Sequence, residues 1–349
     1  MFSVGLVGLP NAGKSTLFNL LTDRSVPAAN FPFTTVDPHD GVVELPDKRL
    51  AAIAKLSNAQ KIVPAQIEFR DIAGLVKNAS AGEGLGNKFL AHIHEVDLIL
   101  LVVRCFENND IIHVENRVNP LEDEEILLLE LTLHDQKRLE NLIIKVEKEA
   151  AKDPDGKAKI QICEKIMTEL SNLNPASSFV MDDSWDKNLI IWRNKLNLLT
   201  DKPILRLANI SQDGENLPYK SDFDLDILLE SEFSDSNLEE RKELGMNQET
   251  GLDRMIQAAF YKLNLATYLT CGEKEAKAWT FNKGDKAPVC AGKIHTDFEK
   301  KFIKADVVSF EDFTNVGGWK NAFEKGCVKT MGKDYEMKDG DIVEFKIGN

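Results

Sequence analysis

With 349 residues, the chain is too long for one comfortable core, and two or three domains are expected. A formal net charge of −14 argues against a generic, charge-driven nucleic-acid binder. Five scattered cysteines without a Cys-x-x-Cys pair read as reduced, packed thiols, and the longest clean apolar run, Leu98-Ile-Leu-Leu-Val-Val103, is far short of a membrane span.

The first predicted element is a short buried strand, Ser3-Val4-Gly5-Leu6-Val7, apolar and partly β-branched as parallel strands are. It runs into Gly8-Leu-Pro-Asn-Ala-Gly-Lys-Ser-Thr16, where Gly8, Gly13, Lys14 and Ser15 match the phosphate-loop pattern. That pattern arises by accident in about one chain in a hundred of this length, and the strand-loop-helix context lowers the chance further. The glycines let backbone N–H groups of Asn11, Ala12, Gly13, Lys14, Ser15 and Thr16 approach phosphate oxygens, and a helix beginning at Lys14 aims its positive end at them. Lys14 is expected to reach the β- and γ-phosphates, and the Ser15 hydroxyl to bind Mg²⁺. No basic n-region and apolar h-region precede the loop, so no secretory signal is expected and the cytoplasm is the default compartment.

After the first helix, Asn30-Phe-Pro-Phe-Thr-Thr-Val-Asp-Pro38 opposes helix. It reads either as a structural turn or as a loop whose Thr35 closes on Mg²⁺ and the γ-phosphate. The alternating Gln66-Ile-Glu-Phe-Arg-Asp71 reads as a strand with Asp71 at its carboxyl end, suited to the outer shell of Mg²⁺, and Gly74 lets a backbone N–H approach the γ-phosphate. Leu75 follows, where Ras-type GTPases place the Gln that orients the attacking water; leucine can neither donate nor accept a hydrogen bond. Slow intrinsic turnover is expected.

In the middle of the chain, Leu129, Leu133, Leu139, Leu142 and Val146 form a predicted apolar helical stripe. It ends at the turn Asp153-Pro-Asp-Gly156, and a second helix is expected from Lys157 to about Asn172, with Ile160, Cys163, Ile166, Met167 and Leu170 on one side. A helical hairpin with a solvated, acidic surface follows, a spacer or docking arm.

Pro203-Ile-Leu-Arg-Leu-Ala208 reads as a strand ending in Asn209-Ile-Ser-Gln212. A guanine reader, Asn-Lys-x-Asp, would present a carboxylate to guanine N1–H and N2–H₂; here Ile210 and Gln212 take the Lys and Asp positions. An amide both donates and accepts, which suits adenine, so ATP is preferred over GTP. Capping of a strand end is the alternative role for Asn209.

From Asn264 onward, 14 Lys balance 14 Asp or Glu, and β-type runs (Ala278-Trp-Thr-Phe281, Lys304-Ala-Asp-Val-Val-Ser309, Asp341-Ile-Val-Glu-Phe-Lys346) alternate with turns such as Asp339-Gly340. A compact α+β module is expected. Lys300, Lys301 and Lys304 near His295 read as a phosphate-facing group or as a solvated face, and structural hydrogen bonding is the better role for His295. The six histidines have no metal-site spacing, which Mg²⁺ does not require.

These motifs resemble the Obg-related branch of translation-factor GTPases. Gly82-Glu-Gly-Leu-Gly-Asn-Lys-Phe-Leu90 and Val103-Arg-Cys-Phe-Glu-Asn108 narrow the resemblance to the YchF, or Obg-like ATPase, family. It resumes at Gly251-Leu-Asp-Arg-Met-Ile256, Thr267-Tyr-Leu-Thr-Cys-Gly272, Ala278-Trp-Thr280, Ile294-His-Thr-Asp-Phe-Glu-Lys300 and Gly332-Lys-Asp-Tyr335. It implies an α/β P-loop NTPase fold of Ras-like G-domain type, with an inserted helical hairpin (coiled coil) and a carboxyl-terminal ubiquitin-like β-grasp (TGS) domain. The expected division is 1–115 plus 186–263 for the nucleotide-binding domain, 116–185 for the hairpin and 264–349 for the TGS domain. The implied function is a Mg²⁺-dependent ATPase switch that associates with ribosomes (50S or 70S, through ribosomal RNA and protein), without membrane contact and as a monomer. An Obg-class GTPase and a nucleotide-gated adaptor with incidental hydrolysis are the alternatives. Asn11 is a candidate for holding a monovalent cation such as K⁺ that partly replaces the missing Gln. The chain departs from the family at Gln212, where Glu is usual, at Arg206, where an apolar strand residue is expected, and at Asn78, where Gly is expected.

Overall fold

The computed structural model describes residues 1–23, 40–72, 85–108, 117–149, 153–181, 184–212, 216–232 and 250–348. Thr35, Gly74, Leu75 and Asn78 lie outside the described residues.

The first sheet contains β1 (Ser3–Val7), β2 (Asp40–Glu44), β4 (Gln66–Asp71), β5 (Leu98–Arg104), β6 (Ile204–Asn209) and β7 (Phe223–Leu225), in the order β2-β4-β1-β5-β6-β7. All neighbours are parallel except the edge strand β2, which runs antiparallel to β4. β1 and β5 are buried at every residue, which accounts for their unbroken apolar sequences: a strand covered on both faces has no solvent side to alternate toward. α1 (Lys14–Asp23) and α2 (Lys48–Leu56) contribute Leu17, Leu21, Leu50 and Ile53 to one covering layer; α3 (Leu85–Glu95) covers the other with Phe89, Leu90 and Ile93. At β6, Arg206 donates from Nε to Glu124 at 2.6 Å, and Tyr219 donates its hydroxyl to the other oxygen of the same carboxylate at 2.9 Å. A charged residue is accommodated in this strand because its half-exposed head is paired with Glu124.

α4 (Pro120–Glu149) and α5 (Gly156–Ser171) pack along one another on either side of the predicted Asp-Pro-Asp-Gly turn. The predicted stripe on α4 is corrected in part. Leu139 and Val146 are buried, but Leu129 and Leu133 are 45% and 41% exposed. The buried row is instead Leu127, Leu131, Asp135 and Leu139, spaced by four. Residues two positions away from such a row lie about 200° around the helix, on the far side. The phase is set by docking: Leu127 and Leu131 pack on the sheet at Leu101 and Val103, while Leu139 joins Ile162, Cys163, Ile166 and Leu170 of α5. α6 (Lys187–Asn194) and the segment after it belong to this second cluster through Leu189, Leu196 and Leu198. Asp135, fully buried on α4, holds the 3-10 turn Leu199–Asp201 that leads into β6, accepting from Leu199 N, Thr200 N and the Thr200 hydroxyl.

The second sheet has the order β11-β10-β12-β8-β9-β3, from β3 (Lys61–Val63), β8 (Leu265–Cys271), β9 (Glu275–Asn282), β10 (Phe302–Val308), β11 (Lys329–Met331) and β12 (Ile342–Ile347). The three predicted carboxyl-terminal runs are thus strands, and Gly340 makes its turn at a φ of 82°. His295 has the structural hydrogen-bonding role expected of it: its Nδ1 accepts from Asp297 N at the start of a short helix. The edge strand β3 comes from the amino-terminal half and pairs parallel with β9, a union no sequence pattern announces. One apolar cluster runs through both parts, with Leu50 and Ile53 packed in the same core as Leu265, Leu269, Phe313 and Ile342.

Arg49 binds the same junction. Its guanidinium holds Asp47 and Asp339, each at 2.9 Å, and donates to the Thr267 hydroxyl at 3.0 Å. Burial acts against the charge, but the two carboxylates outweigh it and raise the Arg49 pKa further. Arg49→Met keeps the stem and removes the fork. It is expected to cost about 1–3 kcal/mol, because two carboxylates then share no cation. A urea midpoint equal to that of the unchanged protein would refute this role.

Candidate nucleotide site

Parallel pairing brings the carboxyl ends of four strands, β4, β1, β5 and β6, into one row. Leu6 stands opposite Asp71, Val7 opposite Leu101, and Arg104 opposite Asn209. In open α/β sheets ligands bind beyond such ends, and the loop from residue 8 to residue 13 crosses there into α1.

The loop is shaped by close approach. A Cβ on Gly8 would lie 2.4 Å from the Val102 carbonyl oxygen, and one on Gly13, whose φ is 102°, would lie 2.5 Å from Asn209 Nδ2. Asn11 also adopts a left-handed conformation (φ 63°), which asparagine tolerates better than most residues. The Leu17 N–H closes the first turn of α1 on the Gly13 carbonyl at 2.9 Å, so the donors before it face outward over the strand ends.

Lys14 is 6% exposed, and its ammonium donates to the Leu9 carbonyl at 2.8 Å, spanning the loop from within. Burial lowers its pKa from 10.5 to about 8, with the Asp71 carboxylate working in the opposite direction. The Ser15 hydroxyl donates to Asp71 Oδ2 at 3.4 Å, while the buried Asp71 Oδ1 meets no hydrogen-bond donor among the described residues. An exposed hydroxyl, a carboxylate with one oxygen unsatisfied and a neighbouring ammonium form a hard, all-oxygen donor set beside a cation. That set fits Mg²⁺ bound together with phosphate oxygens, and it offers none of the nitrogen or sulfur ligands that zinc favours.

Asn209, 4% exposed, does more than end a strand. Its Nδ2 donates to the Ala12 carbonyl at 3.0 Å and its Oδ1 accepts from Ile227 N at 3.4 Å, so it clamps the phosphate loop to the start of α7 (Ile227–Glu232). Ile210 is half-buried against the cluster that holds Val103, Cys105 and Ala208. The Gln212 side chain is exposed, and its backbone N–H donates to Asp226 at 2.8 Å. The structure thus brings Asn11, Ala12, Gly13, Lys14, Ser15, Thr16, Asp71, Asn209, Ile210 and Gln212 to one rim of the first sheet. Thr35 and Gly74, also expected at the site, lie outside the described residues. Sequence reading missed Asp226 and Asn216, which hold the 209–212 loop. The available signal was an Asx residue immediately before a helix, at the end of β7.

Fold and site together define a phosphate-loop nucleotide hydrolase of the GTPase type. Over 365 aligned residues the chain is 44% identical to the "Ribosome-binding ATPase YchF" of Bacillus subtilis (strain 168), covering 99% of this chain and 98% of the relative. The chain belongs to the YchF family. The protein of the same name from Escherichia coli O157:H7 is 45% identical over 362 residues, with 99% of this chain and 98% of the relative covered. A family model described as a 50S ribosome-binding GTPase matches residues 3–145, and the carboxyl-terminal YchF-GTPase model, described as a protein of unknown function, matches residues 265–348. Among solved structures, the Schizosaccharomyces pombe YchF GTPase superposes with a TM-score of 0.83 at 34% identity, covering 99% of this chain and 97% of that one.

Proposed function

We propose that the chain is a Mg²⁺-dependent ATPase switch that hydrolyses ATP to ADP and phosphate and associates with ribosomes. The observation that carries this reading is the pairing of a phosphate site, Lys14 with Ser15 and Asp71, with a base loop ending in Gln212 rather than a carboxylate. The family's curated members, which carry the ribosome and ATPase in their names, support it. When bound, Mg²⁺ would supply charge neutralisation to the nucleotide's phosphates. Ser15 would hold it directly and Asp71 through its outer shell, with Thr35 the third candidate. Lys14 turns its ammonium from Leu9 toward the phosphates, backbone donors of residues 11–16 line the same oxygens, and Gly74 brings an N–H to the γ-phosphate. With Leu75 unable to orient water, turnover is slow until Asn11 with K⁺, or a partner, supplies the missing positioning. Asn209 and Ile210 flank the base, and the Gln212 amide accepts from and donates to its adenine edge.

The nucleotide-binding domain comprises 1–115 and 186–263 in this proposal, though the core of residues 187–198 lies with the helices. Residues 116–185 form the inserted hairpin, and 264–349 a β-grasp module of TGS type, the two surfaces by which a cytoplasmic monomer meets ribosomal RNA and protein.

The test is affinity for ATP and GTP side by side with Mg²⁺, in K⁺ and in Na⁺, for the unchanged chain and for Gln212→Asp. ATP is expected to bind more tightly, and Gln212→Asp to shift the ATP-to-GTP ratio toward GTP by about 10-fold or more, since a carboxylate pairs with guanine donors that an amide serves poorly. Equal affinities, unchanged in the variant, would overturn the ATPase reading in favour of a purine-triphosphate switch.

A further inference from the structure

The end of the loop that carries Asn209, Ile210 and Gln212 has little packing of its own: Ser211 is half-buried and Gln212 exposed. Two side chains supply the order that packing does not. Asn216 reaches back with its whole amide, Oδ1 accepting from Ser211 N at 2.9 Å and Nδ2 donating to Ser211 O at 2.7 Å. That reciprocal pair satisfies both backbone groups of one residue, as a neighbouring strand would. Asn216 is itself anchored on β5's continuation, where it forms an isolated bridge with Phe106, and Leu217 N donates to Cys105 O at 2.7 Å.

On the other side, Asp226 spends one oxygen on each of two N–H groups. Oδ2 accepts from Gln212 N at 2.8 Å, and Oδ1 accepts from Leu229 N at 2.9 Å in the first turn of α7. The backbone between them is tied to the sheet, since Ile210 N donates to Leu225 O at 3.0 Å and Ile227 N donates to Asn209 Oδ1. α7 in turn bears on the phosphate loop, with Ile227 Cδ1 3.2 Å from where a Gly13 Cβ would stand. Asp226 therefore couples the position of Gln212 to an element that touches the phosphate loop.

We propose that Asn216 and Asp226 are positioning residues for purine selectivity, holding the Ser211–Gln212 backbone where the Gln212 amide meets the base edge. This rests on the reading of residues 209–212 as the base site. Neither residue need touch the nucleotide. Discrimination between an amino and an oxo group depends on donor and acceptor placement within a few tenths of an ångström, so a loosened loop loses ratio before it loses affinity.

The experiment is calorimetric titration of the full chain with ATP and with GTP, each with Mg²⁺, for Asn216→Ala, Asp226→Asn and Asp226→Ser, alongside melting temperatures. Serine at 226 keeps an acceptor for the Leu229 N–H but is too short to reach Gln212 as well, so it separates helix capping from the loop tie. Loss of the Asn216 pair to Ser211, or of the Asp226 bond to Gln212, is expected to reduce the ATP-to-GTP affinity ratio about three- to tenfold in Asn216→Ala and Asp226→Ser, with the melting temperature of the serine variant near that of the unchanged chain. A ratio unchanged in both, or equal weakening of both nucleotides that follows the fall in melting temperature, would overturn the proposal and leave the two residues structural. Asn209→Ala and Gln212→Asp run in the same series keep the two readings apart. If those leave affinity and ratio untouched, the base site itself is misplaced and this proposal falls with it; if they shift the ratio while the variants at 216 and 226 do not, only the positioning role is refuted.

Discussion

Lys14→Met is expected to lower the rate of nucleotide hydrolysis by about 10²–10³-fold, the usual consequence of removing one preorganised charge from a phosphoryl-transfer site. The same substitution is expected to stabilise the nucleotide-free protein. Lys14 is buried with its pKa lowered to about 8, so below that pH the fold carries a charge it has partly stripped of water. The sign follows from linkage: a lysine whose folded pKa lies below its unfolded 10.5 destabilises the fold while it is charged, and the penalty is relieved as pH rises from about 8 toward 10.5. Methionine fills much of the same stem, and a gain of about 1–2 kcal/mol at pH 7 is expected once the lost bond to Leu9 is subtracted. Urea denaturation at pH 7 and pH 10 tests it: the gap between the two proteins should narrow at the higher pH. A less stable variant at both values would refute the argument. For the unchanged chain, phosphate affinity should fall as pH rises above about 8, because the neutral amine no longer pairs with the phosphates.

Asp71→Asn should act on the metal rather than on the nucleotide. The variant keeps the shape and an acceptor for the Ser15 hydroxyl but removes the charge shared by the buried Oδ1, which meets no donor among the described residues. Loss of such an outer-shell group is expected to raise the Mg²⁺ concentration needed for half-maximal hydrolysis by about 10–100-fold. Nucleotide affinity in excess EDTA should change little. Asp71 also supports the charged form of Lys14, so its removal should move the pH midpoint of phosphate binding below the unchanged chain's value near 8. Mg²⁺ dependence identical in the two proteins would remove Asp71 from the metal's surroundings.

Much of the nucleotide half was legible because its chemistry is local. β1, β4 and β6 announce themselves as apolar or alternating runs, and the phosphate loop is a contiguous pattern whose glycines are required because a Cβ would lie 2.4 Å from the Val102 carbonyl at Gly8 and 2.5 Å from the Asn209 amide at Gly13. The α4 stripe was misread at Leu129 and Leu133 because a helix of 30 residues rich in leucine has more than one self-consistent face, and only docking on the sheet chooses among them. Asn216 and Asp226 escaped notice for a similar reason. Their partners are backbone groups, and backbone leaves no trace in a side-chain pattern. The pairing of β3 with β9 was least legible: three residues, two of them exposed, carry no periodicity to read.

That pairing has a consequence for how the chain is made. β3 and the apolar side of α2 leave the ribosome long before the strand and core that complete them; Arg49 waits for a carboxylate 290 residues further along. Until then a nascent amino-terminal body presents Leu50 and Ile53 without their final partners, beside an unpaired edge. Vectorial folding, in which each body closes as it emerges, is therefore denied to α2 and β3, which close only after the strands of the second sheet have emerged. A message truncated before residue 265 would yield a product with a bare apolar flank, a natural substrate for holdase chaperones and proteases.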